Sequence, residues 1–102
     1  MTFVEVLPFL QKGFVIRREQ YDSSLIIFKQ LPATINDVTN VKSLPNSVKQ
    51  ILSKFKVGIN YDSQYIIYDF ITGDATHCVF DGEDIDATDW VVVSDNYDPY
   101  VL

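Results

Sequence analysis

The sequence has one cysteine, Cys78, and one histidine, His77, in 102 residues. A lone cysteine excludes an intrachain disulfide, and one histidine with one cysteine falls short of the usual zinc ligand sets. The two are also adjacent. Neighbouring side chains on a strand point to opposite faces, which excludes a nucleophile–base pair between them. No Gly-rich phosphate loop, GxSxG elbow or Walker pattern is present, so the common signatures of phosphoryl and acyl transfer are missing. The acidic run Asp81, Glu83, Asp84, Asp86 lacks the glycine and the closing glutamate of a calcium loop. Catalytic residues, metal and cofactor are therefore all expected to be absent. Only four glycines and four prolines, beside 47% hydrophobic residues, argue against disorder. No apolar run approaches the roughly 18 residues needed to cross a bilayer. Glu5 interrupts the region where a signal peptide would be apolar, and a cytoplasmic protein is expected.

Positive charge is missing from the chain after Lys56. All eight Lys and Arg lie at or before Lys56, and ten of the fourteen acids lie after it, giving formal charges of +4 and −10 on the two parts. The net charge of −6 argues against a nucleic-acid backbone or an anionic membrane as partner, because both require a basic face. It leaves room for a small anionic ligand held by the few arginines.

Tyr65 to Val93 is the stretch on which the rest is organised. Tyr65–Phe70 is rich in β-branched and aromatic residues and reads as a strand. Thr72-Gly73-Asp74 reads as a hairpin turn into a second strand over Ala75–Phe80. Asp81 suits the N-cap of a short acidic helix running to Ala87. Trp90–Val93 is apolar enough for a central strand. Upstream, Thr2 caps a first helix whose Phe3, Val6, Leu7 and Leu10 share one face, with Pro8 as an obstacle and Gly13 as the stop. Strands are expected at Phe14–Arg18 and Leu25–Lys29. Residues 31–58 read as an insertion: a loop with a short strand near Ile35–Val41, then a helix around 46–57. Pro45 is in that helix's first turn, Val48, Ile51, Leu52 and Phe55 form its core-facing side, and Gly58 ends it. Ile59–Ser63 is a connection, and residues 94–102 are a frayed tail. The expected architecture is one α+β domain over residues 1–102, a small antiparallel sheet with an N-terminal helix and a second helix. A domain this small builds ligand pockets more readily between subunits, so a homo-oligomer is expected.

Arg17 and Arg18, at a strand end, offer forked donors for phosphate oxygens, and Tyr21 offers a stacking face. The acidic turn can accept hydrogen bonds from ribose hydroxyls. Two readings of the arginines stand side by side: ligand contacts, or surface bases answering the acidic half.

The opening MTFVEVLPFLQKGFVIRREQY and the closing Asp84-Ile85-Asp86-Ala87-Thr88-Asp89-Trp90 resemble the two signature ends of the second Thoeris anti-defence family of phage proteins. Those begin M-x-F-x-E-A-L-x-x-L-K-x-G, continue into V-R-R-x-x-W and finish D-L-L-A-x-D-W. The resemblance covers about the first twenty and last thirty residues of the domain. It implies a homotetramer in the infected host's cytoplasm that sequesters a cyclic ADP-ribose-type immune signal, with cyclic dinucleotides as ligands of some relatives, and leaves the signal intact. It assigns ligand contacts to Arg18, Tyr21, Asp84, Asp89 and Trp90, and Arg17 joins them on physical grounds. Trp90 reads equally as a core anchor. Tyr21 stands where the family has Trp, and His77-Cys78-Val79-Phe80-Asp81 where it has P-W-V-P-S. A different class of function is an acidic interaction protein that inhibits a host defence or nucleic-acid enzyme by direct binding.

Overall fold

The structure, a computed structural model, describes residues 1–101. They form a mixed α+β protein whose main sheet is antiparallel and carries an N-terminal helix. The chain divides into two compact units: Met1–Gln30 together with the chain from Gln64 onward, and Leu31–Ser63 between them.

In the larger unit, α1 spans Phe3–Gln11. Thr2 and Glu5 close a reciprocal capping box at its start, each side chain bonding the other's backbone N–H. Pro8 lies inside the helix rather than at its first turn. Both Pro8 and Val4 are on the exposed side, so the Val4 carbonyl deprived of an intrahelical donor faces solvent. Gly13, at φ 101°, reverses the chain after the helix. The strands that follow are β1 (Val15–Arg18) and β2 (Leu25–Gln30).

The second segment of this unit supplies three further strands of its five-stranded sheet. After β3 (Ala33–Ile35), α2 (Asn46–Lys54) and β4 (Ile59–Tyr61) of the smaller unit, these are β5 (Gln64–Asp69), β6 (Ala75–His77) and β7 (Trp90–Val93), with α3 (Gly82–Asp86) before β7. The order is β6-β5-β2-β1-β7, antiparallel at every step. Gly73, at φ 75°, makes the β5–β6 turn. The apolar β7 run is therefore an edge strand, not the expected central one. Its outer side is engaged at one residue, where Trp90 donates to the Met1 carbonyl at 3.0 Å and accepts from the Met1 amino group at 2.8 Å. β6 stops at His77, short of the expected Phe80, because the chain leaves the edge of the sheet to reach α3.

Strand alternation places Ile16, Ile27 and Trp90 on one face with Val6 and Leu10 of α1, and these five form the core. Phe3 and Phe80 each lie with ring centroids 5.9 Å from Trp90 and 5.0 Å from one another, at tilted angles. The C-terminal segment is tied down rather than frayed: the Tyr97 hydroxyl donates to the Ser23 carbonyl at 2.6 Å and the Ser23 hydroxyl to the Pro99 carbonyl at 2.8 Å. Leu102, the last residue of the expected tail, lies outside the described residues.

In the smaller unit, β3 (Ala33–Ile35) pairs antiparallel with β4 (Ile59–Tyr61). Ile59–Tyr61 is thus a strand and not a plain connection. The expected strand near Ile35–Val41 ends at Ile35, and Val38–Asn40 is a 3₁₀ turn capped by Asp37. Helix α2 spans Asn46–Lys54 with Pro45 as its N-cap. Lys56, at φ 55°, turns the chain after it, where Gly58 was expected to do so. Gly58 has a different task. A Cβ there would lie 2.2 Å from the Ile35 carbonyl oxygen, so only glycine permits the β3–β4 approach. The α2 apolar side is not core: no α2 residue is buried, and Ile51 and Phe55 are 58% and 68% exposed. Among the described residues no helix is long and apolar enough to cross a membrane.

Candidate functional site

Five of the six residues singled out for ligand binding meet in one cluster. Arg18 ends β1 on the core face, 4% exposed, and is brought against α3 and the residue preceding β7 by the β1–β7 pairing of Arg18 with Trp90. Its Nε donates to Asp89 Oδ1 at 2.7 Å, and its Nη1 donates to Asp84 Oδ1 at 3.2 Å and to the Tyr21 hydroxyl at 3.1 Å. Tyr21 in turn donates to Asp84 Oδ1 at 2.7 Å, with the Arg18 guanidinium 4.5 Å above its ring. Trp90 is fully buried and gives its Nε1–H to the Asp84 carbonyl at 2.8 Å. Glu83, largely exposed, adds a looser ion pair to Arg18 at 3.7 Å.

The remaining carboxylate oxygens are also engaged. Asp84 Oδ2 accepts from the Asp81 N–H, closing a capping box at α3, and Asp89 Oδ2 accepts from the Gln20 N–H. Burial alone would raise both carboxyls. The hydrogen bond from Tyr21 and the Asp81 N–H for Asp84, and the Gln20 N–H for Asp89, together with Arg18 in each case, outweigh it and hold both below the ordinary range. Burial likewise disfavours the Arg18 charge, and the bonds to Asp89 and Asp84 more than restore it. Tyr21 is held in its protonated form, first by its hydrogen bond to Asp84 and then by burial. The cluster is thus an ion-paired lock, one guanidinium against the two carboxylates of Asp84 and Asp89, joining the β1 end, the acidic helix and the start of β7.

Arg17 points to the other face of the sheet, as alternation along β1 requires. The two guanidinium groups, both expected to offer forked donors for phosphate oxygens, therefore serve opposite faces of the sheet. Arg17 lies 5.6 Å from the Tyr97 ring centroid and donates from Nη2 to the Tyr21 carbonyl at 3.2 Å. Among the described residues no carboxylate lies within 4 Å of it, and its Nε is buried with no hydrogen-bond partner. Tyr97 beside Arg17, and Ser23 that holds Tyr97 there, are not singled out in the sequence. The Asp98-Pro99 turn signal was the only hint that this segment folds back.

Cys78 is pushed up to about 11, by burial and then by the charge of Asp84, which makes it a poor nucleophile at neutral pH. Surface grooves gather other residues: one is lined by Lys12, Gly13, Phe14, Val15, Val93 and Asp95, another by Leu25, Ile67, Asp69, Thr72, Asp74 and Thr76. Neither includes a member of the Arg18 cluster. Among the described residues no group of His, Cys, Asp and Glu is arranged to hold a metal ion. The chain matches no known family and no curated protein.

Proposed function

We propose that this protein binds a cyclic nucleotide immune signal, of the cyclic ADP-ribose or cyclic dinucleotide kind, and withholds it from its effector without altering it. The observation that supports this most is the convergence of the two segments that resemble the phage anti-defence family. Residues 66 and 71 positions apart in the chain join at Arg18. In this arrangement Arg18, Asp84, Asp89 and Trp90 form the framework, and Arg17 meets the ligand. A phosphate oxygen is the kind of acceptor that the unpartnered Arg17 Nε lacks. Tyr97, already stacked on that guanidinium, offers an aromatic surface for a base. The site is completed between subunits of a homo-oligomer, a tetramer by resemblance, in the cytoplasm of an infected host cell. Sequestration then works by mass action, starving the effector when protein exceeds signal. No residue is assigned a catalytic role.

A second reading, an acidic protein that inhibits a host enzyme by direct binding, draws on the exposed Asp81, Glu83 and Asp86. One experiment separates the two. The protein is incubated with cyclic ADP-ribose isomers and cyclic dinucleotides, freed of unbound material and heat-denatured. Release of an intact nucleotide is expected; release of an altered one would overturn the proposal, and capture of none would favour the second reading.

A further inference from the structure

Charge is divided between the two units. Lys42, Lys49, Lys54 and Lys56 against Asp37 and Asp62 give the 31–63 unit a formal +2, which leaves −8 on the rest of a chain whose net charge is −6. From residue 42 to residue 61 there is no acid at all. Helix α2 within that basic stretch presents Val48 and Ile51, 36% and 58% exposed, with Phe55 at its C-cap 68% exposed and Val57 just beyond at 48%. Exposed apolar side chains this close along the chain, in a stretch whose charges are all of one sign, mark an interaction face. Pairing α2 with another α2 would bring its lysines together, so the complement must be acidic as well as apolar.

The chain itself carries that complement. Around α3, Val79 is 83% and Ile85 52% exposed, and the acids Asp81, Glu83 and Asp86 beside them are exposed too. Asp84, the one acid of the helix turned inward, is already paired with Arg18. We infer that the basic, apolar face of α2 docks on the acidic, apolar α3 surface of a second copy of this chain. Apolar contact between Ile51 or Phe55 and Ile85 or Val79 would supply the attraction, and lysine–carboxylate pairs at the rim would set the orientation. This deepens the assembly proposed above by naming its contact surfaces, and it brings a second protomer next to the Arg18 cluster.

The test is sedimentation velocity on the full chain without nucleotide, over a range of concentrations and salt. The unaltered protein is expected to assemble, with assembly weakening as salt rises. Ile51→Glu with Phe55→Glu is expected to leave a folded monomer with an unchanged circular dichroism spectrum. Lys49→Glu with Lys54→Glu should weaken assembly at least tenfold, and Glu83→Lys with Asp86→Lys in the same chain should restore it. A protein that stays monomeric throughout, or assembly indifferent to the α2 changes, would overturn the inference. Loss without charge-swap rescue would remove α3 as the partner, and pelleting of the monomer with phosphatidylserine vesicles would assign α2 to a lipid surface instead. Nucleotide capture by the monomeric variant, measured separately, shows whether the ligand site survives a failed interface.

Discussion

Arg18 spends its charge on the protein itself. The buried Asp84, the half-buried Asp89 and a stacked tyrosine surround it, so removing it strands Asp84 and Asp89 without a counter-charge. Arg18→Met is predicted to destabilise the fold by about 3–5 kcal/mol, the usual cost of breaking a buried pair, measured by urea unfolding. Arg18→Lys should recover only part of this, because an ammonium cannot reach both carboxylates with the guanidinium's planar fork. The sign of the pH dependence follows from Asp84 and Asp89. Their folded-state pKa values lie below the unfolded value, so their contribution is complete above the ordinary Asp value of about 3.9 and is lost as pH falls through the folded values. Urea midpoints should drop below about pH 4 in the unaltered protein and far less in a chain carrying Asp84→Asn with Asp89→Asn. Arg17 behaves oppositely. Without a carboxylate partner among the described residues, Arg17→Ala should change the unfolding midpoint little while removing nucleotide capture.

Helices and strands were legible where the sequence carried both a period and a boundary. The Thr2–Glu5 capping box and the Phe3, Val6, Leu7, Leu10 spacing defined α1. Gly73 and Asp81 likewise marked the hairpin and α3. Thr2→Ala should cost about 0.5–2 kcal/mol through loss of that cap, again by urea unfolding. What was not legible depended on neighbours distant in sequence. Trp90–Val93 reads as a central strand by composition, yet its place at the edge is set by which strand pairs beside it. The 31–63 unit was harder still, because its apolar α2 residues have the periodicity of a core helix and are nonetheless exposed. Gly58 reads as a helix stop in the sequence and is instead where a side chain would meet the Ile35 carbonyl. Gly58→Ala should therefore open β3–β4, seen as faster amide exchange confined to residues 31–63, with the amides of the five-stranded sheet unaffected.

On the scale of the whole molecule, the identity of the cluster was legible and its state was not. Arg18, Tyr21, Asp84, Asp89 and Trp90 were singled out from two ends of the chain and lie together. Their pairing with one another could not be read from residue types, since an arginine beside acids has the same letters whether it faces a ligand or its own carboxylates. The face of Arg17 was readable from strand alternation, but its companion Tyr97 required the fold-back of the C-terminal segment. Under the proposed function Arg17, which has no carboxylate partner among the described residues, is the cation that meets the anion, and the unequal charges of the two units serve the proposed assembly. The most direct measurement is the thermal shift of the full chain against cyclic ADP-ribose isomers and cyclic dinucleotides. At a hundredfold excess of ligand over Kd, binding adds about 2.7 kcal/mol. For a domain of this size that is a rise in Tm of roughly 10 °C or more. That rise with at least one of these nucleotides, abolished by Arg17→Ala, is the predicted result; no shift with any of them, at concentrations that saturate a micromolar site, would contradict it.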